Sequence, residues 1–157
     1  MPQPWNADAQ KVIRTAQCLA EQTDGVVSPI DVLSALLVAA PQVWQALPQL
    51  NVQEIRAALP PFNTPEAVST DKSNSVLANS VKRILAYAME EWFRARSNRV
   101  PPESVKHDFL HSGEYVAPEH LLIGLLRETD CEAARILGAK GLTVEQAREY
   151  LSDLNCW

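Results

Sequence analysis

Glycine and cysteine are scarce in this sequence, and no hydrophobic run is long enough to span a bilayer. Only 5 of the 157 residues are glycine, and none opens the G-x-x-x-x-G-K-[ST] loop that binds nucleotide phosphates. ATP hydrolysis by that mechanism is therefore excluded. The three cysteines, Cys18, Cys131 and Cys156, show no CxxC spacing. This pattern favours reduced thiols over a disulfide framework or a zinc site.

Two further features are missing, namely strand-type alternation of apolar and polar residues and an excess of positive charge. The formal net charge is −5, so we expect neither nucleic acid nor a membrane as a main partner. The first residues lack the basic and apolar regions of a signal peptide, which with the reduced thiols predicts a cytoplasmic protein. Because 46% of the residues are hydrophobic, the chain can bury an all-α core.

The clearest helical pattern lies at residues 115–127. Pro118 suits a first helical turn, and Glu119 lies near the positive end of the helix dipole. Four leucines then recur at helical spacing as one apolar stripe, and Gly124 among them predicts the close approach of another helix. Thr129 and Glu132 have the spacing of a capping box for the next helix. The leucines are Leu121, Leu122, Leu125 and Leu126.

This stretch resembles the second half of a Clp N-terminal repeat. The resemblance is carried by the string Pro-Glu-His-Leu-Leu-Ile-Gly-Leu-Leu-Arg at residues 118–127, by Ala-Ala-Arg-Ile-Leu at 133–137, and by Gly-Leu-Thr-Val-Glu-Gln-Ala-Arg at 141–148. Members of this family form the helical module at the head of the ClpA and ClpC chaperones and also occur in ClpT-like proteins. The resemblance implies two tandem four-helix repeats in one pseudo-symmetric eight-helix domain.

An internal repeat agrees with that expectation. Residues 9–16 match 81–88, residues 28–37 match 117–126, and residues 50–54 match 142–146. We therefore expect a first repeat at residues 1–59, a linker rich in proline, serine and threonine at 60–75, and a second repeat at 76–157. The leucine stripes of the two copies should be buried, namely Leu33 and Leu36 with Leu122 and Leu125.

The second copy is longer because an expanded loop at residues 97–114 has only a short counterpart in the first copy. Between residues 94 and 106 there are four positive residues and one negative residue, which gives +3. One interpretation is a docking loop for an acidic partner surface, in which Arg94, Arg96 and Arg99 supply the attraction. The alternative is a solvated loop with scattered charge.

Candidate chemical sites are few. His107 and His111 are four residues apart, but their flanks are rich in proline and contain no H-E-x-x-H pattern. Cys131 and His120 could form a thiol–imidazole pair, although both lie at predicted helix starts. A small metal- or thiol-dependent enzyme is therefore the alternative function, while the leading interpretation has no catalytic residues, no metal and no cofactor.

The resemblance also suggests a phosphoarginine pocket. ClpC-type relatives can use a glutamate at the start of the second helix and a threonine near the start of the first helix of each copy. Here the glutamate positions hold Ile30 and Glu119, and the threonine positions hold Asn6 and Ala78. Only one of the four groups is kept.

The leading functional hypothesis is a protein-interaction module. It would be a free-standing adaptor or accessory subunit that binds a Clp ATPase, a Clp protease subunit or a protein substrate through apolar grooves. Trp5 and Trp157, near the chain ends, either cap the core or present an apolar contact. The candidate partner-binding residues are Trp5, Arg94, Arg96, Arg99, Glu119 and Trp157.

Overall fold

Eight helices and two very short strands make up the part of the chain that the structure describes. The computed structural model describes residues 5–62, 75–97 and 116–152, with residues 96 and 97 described by their backbone alone. Four helices precede the predicted linker: α1 Ala7–Glu21, α2 Pro29–Ala39, α3 Pro41–Gln45 and α4 Val52–Ala58. Four follow it: α5 Asn79–Ser97, α6 Pro118–Arg127, α7 Glu132–Ala139 and α8 Val144–Leu151. The all-α class is confirmed, while the repeat boundaries stay a prediction.

Several helices begin where short polar side chains predict a cap. The Asn6 Oδ1 atom accepts a hydrogen bond from the backbone N–H of Ala9 at 2.7 Å. Capping boxes open α2 and α8, and an asparagine side chain caps α4. Each such cap is worth about 1 kcal/mol because it satisfies a backbone donor that the first helical turn leaves open. The caps of these three helices are Ser28, Asn51 and Thr143.

The start of α7 differs from the prediction. The N-cap is Cys131 and not Thr129, and the Cys131 Sγ atom accepts from the Ala134 N–H at 3.4 Å. The backbone N–H of Cys131 bonds to the carbonyl of Glu128 at 3.1 Å. Residues 128–131 form a turn directly after α6, and the helical conformation of α7 therefore begins only at Glu132.

The expectation of a structure without any sheet is wrong in one detail. Strand β1, Val26–Val27, pairs in parallel with β2, Val76–Leu77. Trp5 forms a similar parallel bridge with Val116. Trp5 and β2 each precede the first helix of their half, which is α1 or α5. Val116 and β1 each precede the second helix of their half, which is α6 or α2. Each pairing therefore joins the start of the first helix of one half to the start of the second helix of the other half. A two-fold relation between the halves would produce this exchange, and strands of two residues leave no alternation for the sequence to show.

A single hydrophobic core joins the two halves. It contains buried residues from all eight helices and from β1. Leu33, Leu36, Leu122 and Leu125 each have 0% exposure, so their predicted burial is confirmed. Trp92 of α5 is also buried. The halves therefore share their apolar surface and have no separate cores.

Gly124 is the point where α6 lies closest to α5. A Cβ atom at this position would lie 2.5 Å from the Ile84 carbonyl oxygen and 3.1 Å from the Ala88 nitrogen. These are backbone atoms, so they can move away only if the whole of α5 shifts. The close approach that the sequence predicts at Gly124 is confirmed.

Replacing Gly124 with alanine is expected to lower the free energy of unfolding by about 1–3 kcal/mol, because overpacking outweighs the gain in helix propensity. The matched control is Gly138→Ala in α7, where an added Cβ meets nothing within 4 Å. That change should instead stabilise the protein by about 0.5–1 kcal/mol. Urea denaturation of both variants measures the two effects, and equal shifts of the same sign would contradict this account.

Candidate partner-binding site

Trp5 lies against the hydrophobic core and is only partly exposed. Its backbone pairs with Val116, and its carbonyl accepts a hydrogen bond from the Gln10 Nε2 atom at 2.9 Å. The indole ring therefore serves at least in part to cap the core, which is one of the two roles that the sequence left open. Trp157 lies outside the described residues.

The remaining predicted partner-binding residues are separated. Glu119 lies in the first turn of α6 and is 5% exposed, which leaves little of its side chain available to a partner. Arg94 is exposed on α5. The side chain of Arg96 and the whole of Arg99 lie outside the described residues, as do residues 98–114 of the predicted loop. The positively charged docking loop thus stays a prediction.

Cys131 and His120 both have structural roles in helix capping. The His120 Nδ1 atom accepts a hydrogen bond from the Ala117 N–H at 2.9 Å, and His120 is 3% exposed. Burial raises the pKa of the Cys131 thiol, and hydrogen bonding from the Ala134 N–H opposes this effect only in part. A nucleophilic cysteine needs the opposite shift, because the thiolate is the reactive form. This environment therefore disfavours the thiol-dependent alternative.

Metal binding has little support in the described ranges. Within residues 5–62, 75–97 and 116–152, no group of three or more His, Cys, Asp or Glu side chains could hold a metal ion. His107 and His111 lie outside these ranges. In the same ranges no helix combines the length and the hydropathy that a membrane span requires.

One concave surface among the described residues is a groove of about 600 Å³ in the first half of the chain. The end of α1, the start of α2 and residues 60–62 form its walls, and Val26 of β1 lies at its edge. Ligand sites in proteins commonly have volumes of this order. Its apolar lining residues are Leu19, Val26, Ile30, Pro60, Pro61 and Phe62.

Two carboxylates give this groove its electrostatic character. Asp24 Oδ1 accepts from the Val26 N–H at 3.0 Å, and Asp31 Oδ2 accepts from the Ser28 N–H at 2.9 Å. Burial raises the pKa of the Asp31 carboxyl, the hydrogen bonds from Ser28 oppose this, and the charge of Asp24 adds to the rise. Asp31 lies in the first turn of α2, and the sequence pattern gave no sign that it lines a groove.

A second depression, of about 500 Å³, lies between α4 and α7. Its lining mixes both signs of charge, namely Glu132 with Arg135 and Lys140. Lys140 also forms an ion pair with Glu54 of α4 at 3.6 Å. This surface has no clear preference for a charged ligand.

An ion-pair network that the sequence did not reveal joins α5, α6 and α8. Glu91 is 4% exposed, and its carboxylate accepts two hydrogen bonds from Arg148, at 2.6 and 2.9 Å. Arg127 approaches the same carboxylate at 3.1 Å, and its guanidinium lies 4.4 Å from the centre of the Tyr87 ring. Glu91 therefore connects three helices of the second half.

Of the comparisons with known proteins, only the comparison with solved structures finds matches. No family model matches this sequence, and no curated protein matches it. One similar structure comes from preliminary structural investigations of a malarial protein secretion system. It has 21% sequence identity and a TM-score of 0.67 over 97% of this chain and 95% of that chain.

A second similar structure is the N-terminal domain of the caseinolytic protease associated chaperone ClpD from Arabidopsis thaliana. It has 19% identity and a TM-score of 0.60 over 98% of this chain and 96% of that chain. At these identities the likeness shows the fold. The chain thus has the all-α fold of a Clp N-terminal domain, as the residues at 118–148 suggested.

Proposed function

We propose that this protein is a non-catalytic interaction module of the Clp chaperone–protease system. It binds a Clp ATPase, a Clp protease subunit or a protein substrate, as an adaptor or accessory subunit. The observation that carries this proposal is the whole-length structural match to the N-terminal domain of ClpD, which is described as a chaperone associated with a protease. A shared fold alone does not establish a function. The proposal therefore also depends on the composition of the groove and on the environment of Cys131.

Two features of the described residues support this role. The groove combines apolar side chains with a few polar groups, which is the usual composition of a site for a peptide segment. Cys131, by contrast, has a thiol whose pKa is raised by burial, which disfavours a thiol-dependent enzyme. We also propose a cytoplasmic location, because Cys18 and Cys131 are free thiols.

The direct test uses purified components. The full chain is immobilised for biolayer interferometry, and a Clp ATPase hexamer and a Clp protease ring are each applied as analyte. The effect of the chain on degradation of fluorescent casein by the assembled protease is measured in parallel. We expect saturable binding to at least one component and a change in degradation rate. Absence of both would contradict the proposal.

A charge-removal variant tests the predicted docking loop. Replacing Arg94, Arg96 and Arg99 with alanine should slow association with the Clp partner and flatten its dependence on salt, because exposed charges act over about 8–10 Å at physiological ionic strength. The thermal midpoint should change little, since exposed charges contribute little to stability.

The matched control replaces Lys11, Arg14 and Lys82, three exposed cations on α1 and α5, with alanine. Both triple variants change the net charge from −5 by three units, to −8. Slower association of the first variant alone would therefore locate the effect at the end of α5, which contains Arg94 and Arg96, and in the predicted loop, which contains Arg99. Equal association rates for wild type and the first variant at low salt would remove the loop from the binding mechanism.

A further inference from the structure

We propose that the groove between α1, α2 and residues 60–62 binds an extended peptide in which a lysine or arginine lies beside apolar side chains. This inference rests on the proposed function and deepens it, because it states the chemistry by which the module selects its ligand. Three properties of the groove lead to it: its sign of charge, its free acceptor atoms and its apolar rim.

The groove has negative charge from the carboxylates of Asp24 and Asp31. The negative end of the α1 dipole and the positive end of the α2 dipole meet here and oppose each other. The last turn of α1 contains no basic residue that would offset the two carboxylates. No lysine or arginine is among the described residues that line the groove. The site therefore attracts a cation and repels an acidic side chain.

Each carboxylate also retains an oxygen atom for a ligand. Asp24 uses Oδ1 for its hydrogen bonds, to the Val26 N–H and the Thr23 hydroxyl. Asp31 uses Oδ2, for the Ser28 N–H and hydroxyl. Within the described residues, Asp24 Oδ2 and Asp31 Oδ1 accept no hydrogen bond. A guanidinium or ammonium group could donate to these atoms, and such charge-assisted bonds are stronger than neutral ones.

The same hydrogen bonds determine how a peptide can bind. The N–H groups of Val26 and Ser28 lie on the edge of β1 that faces away from β2, and both are occupied by the aspartate side chains. A peptide therefore cannot add to this edge as a further strand through those donors. Recognition must rely on side chains, which makes the charge and shape of the ligand decisive.

The rim of the groove supplies the apolar contact. Val26 and Val76 are paired in register on adjacent strands, and their exposures are 39% and 62%. Both are large hydrophobic residues that remain accessible to water, and Val26 lines the groove together with the partly buried Ile30 and Phe62. An apolar ligand residue beside the cation would cover this surface.

The second half of the chain shows that the cap itself needs no negative charge. His120 occupies the position that corresponds to Asp31, and its Nδ1 atom accepts the equivalent hydrogen bond from the Ala117 N–H. A neutral acceptor is therefore sufficient to cap this helix. The charge of Asp31, which burial makes costly, is better explained by a cationic ligand than by capping alone.

The test measures binding of three fluorescein-labelled peptides to the full chain by fluorescence anisotropy. The peptides share the sequence Gly-Ala-Ile-X-Val-Ala, with arginine, glutamine or glutamate at X. We expect the arginine peptide to bind about tenfold more tightly than the glutamine peptide. A factor of about ten in affinity is the contribution expected from one charge-assisted hydrogen bond in a partly buried site. The glutamate peptide should bind most weakly.

Two variants and one control separate charge from apolar contact. The double variant Asp24→Asn/Asp31→Asn removes both charges, keeps both hydrogen-bond acceptors, and should reduce the affinity for the arginine peptide to that for the glutamine peptide. Val26→Ser should weaken both of these peptides alike. Asp130→Asn removes one exposed carboxylate outside the groove and should change neither affinity. Thermal melts confirm that each variant is folded.

Equal affinities for the three peptides, or an arginine preference that persists in Asp24→Asn/Asp31→Asn, would overturn the inference. The proposed function is judged separately, from binding of the Clp hexamer and protease ring to the wild-type chain. Binding to a Clp component without a preference for the arginine peptide would contradict only this inference. A preference for the arginine peptide without binding to a Clp component would contradict only the proposed function.

Discussion

Replacement of Leu125 with alanine is expected to lower the free energy of unfolding by about 2–5 kcal/mol. Leu125 has 0% exposure in the middle of α6, where the helix packs against α5. The loss combines the transfer free energy of the removed atoms with the cost of the cavity, which rigid neighbouring helices cannot fill. Urea denaturation followed by circular dichroism at the helical band measures the change.

Leu36→Ala is the corresponding change in the first half, and Leu36 also has 0% exposure. Because one core joins the halves, both variants should lower the stability of a single transition by similar amounts. Leu85→Ala, at a partly buried position of α5, is the control and should cost less. An unchanged midpoint for Leu125→Ala would show that the stripe does not face the core. Two separate transitions would show that the halves fold independently.

Glu91→Ala should destabilise the protein by about 3 kcal/mol. Removing one partner of a buried ion pair typically costs about 3–5 kcal/mol, because the opposite charge remains without compensation. We expect the lower end of this range because the side chains of Arg127 and Arg148 are 27% and 33% exposed and can regain some hydration. Glu90→Ala is the matched control, since Glu90 is 63% exposed and pairs only with Arg127 among the described residues. That change should cost less than about 1 kcal/mol.

The effect of Glu91 should also depend on pH. Burial by itself raises the pKa of Glu91, but the hydrogen bond from Arg148 and the charges of Arg148, Arg127 and Arg94 outweigh it and hold the pKa below the ordinary value of 4.5. A carboxyl with a lowered pKa stabilises the folded state above its unfolded pKa, and this stabilisation is lost as pH falls. The stability difference between wild type and Glu91→Ala should therefore narrow below pH 4.5. A constant difference between pH 7 and pH 3 would contradict the role of this charge.

Local features of the fold could be predicted because they depend on residues only a few positions apart. Asn6, Ser28 and Asn51 cap the helices that their positions predict, since a cap involves the next two or three residues. The burial of Leu122 and Leu125 follows from helical periodicity in the same way. Gly124 carried a further signal, because glycine is a poor helix former and its presence within an apolar helical stripe indicates a close approach of another helix.

Local patterns also led to an error at α7. Thr129 has a suitable spacing from Glu132 for a capping box, but the turn between Glu128 and Cys131 delays the start of the helix. The outcome depends on how the end of α6 is held against the core, and a window of four residues does not contain this information.

The candidate site was the least predictable part of the molecule. Asp24, Asp31 and Phe62 line one groove, yet Phe62 is 31 residues beyond Asp31 and follows two intervening helices. Glu91 lies 36 residues before Arg127 and 57 residues before Arg148 in the sequence. Charged residues occur throughout the sequence, so composition alone cannot indicate which of them meet.

The sequence by itself determined the all-α class, the order of the helices and the apolar face of each, because helical periodicity and capping act between near neighbours in the chain. Tertiary structure alone decided the pairing of β1 with β2, the burial of Glu91 between two arginines, and the convergence of two aspartates on one apolar groove. These features arise where distant segments meet, and their free energy depends on distances and desolvation that only the packed fold defines.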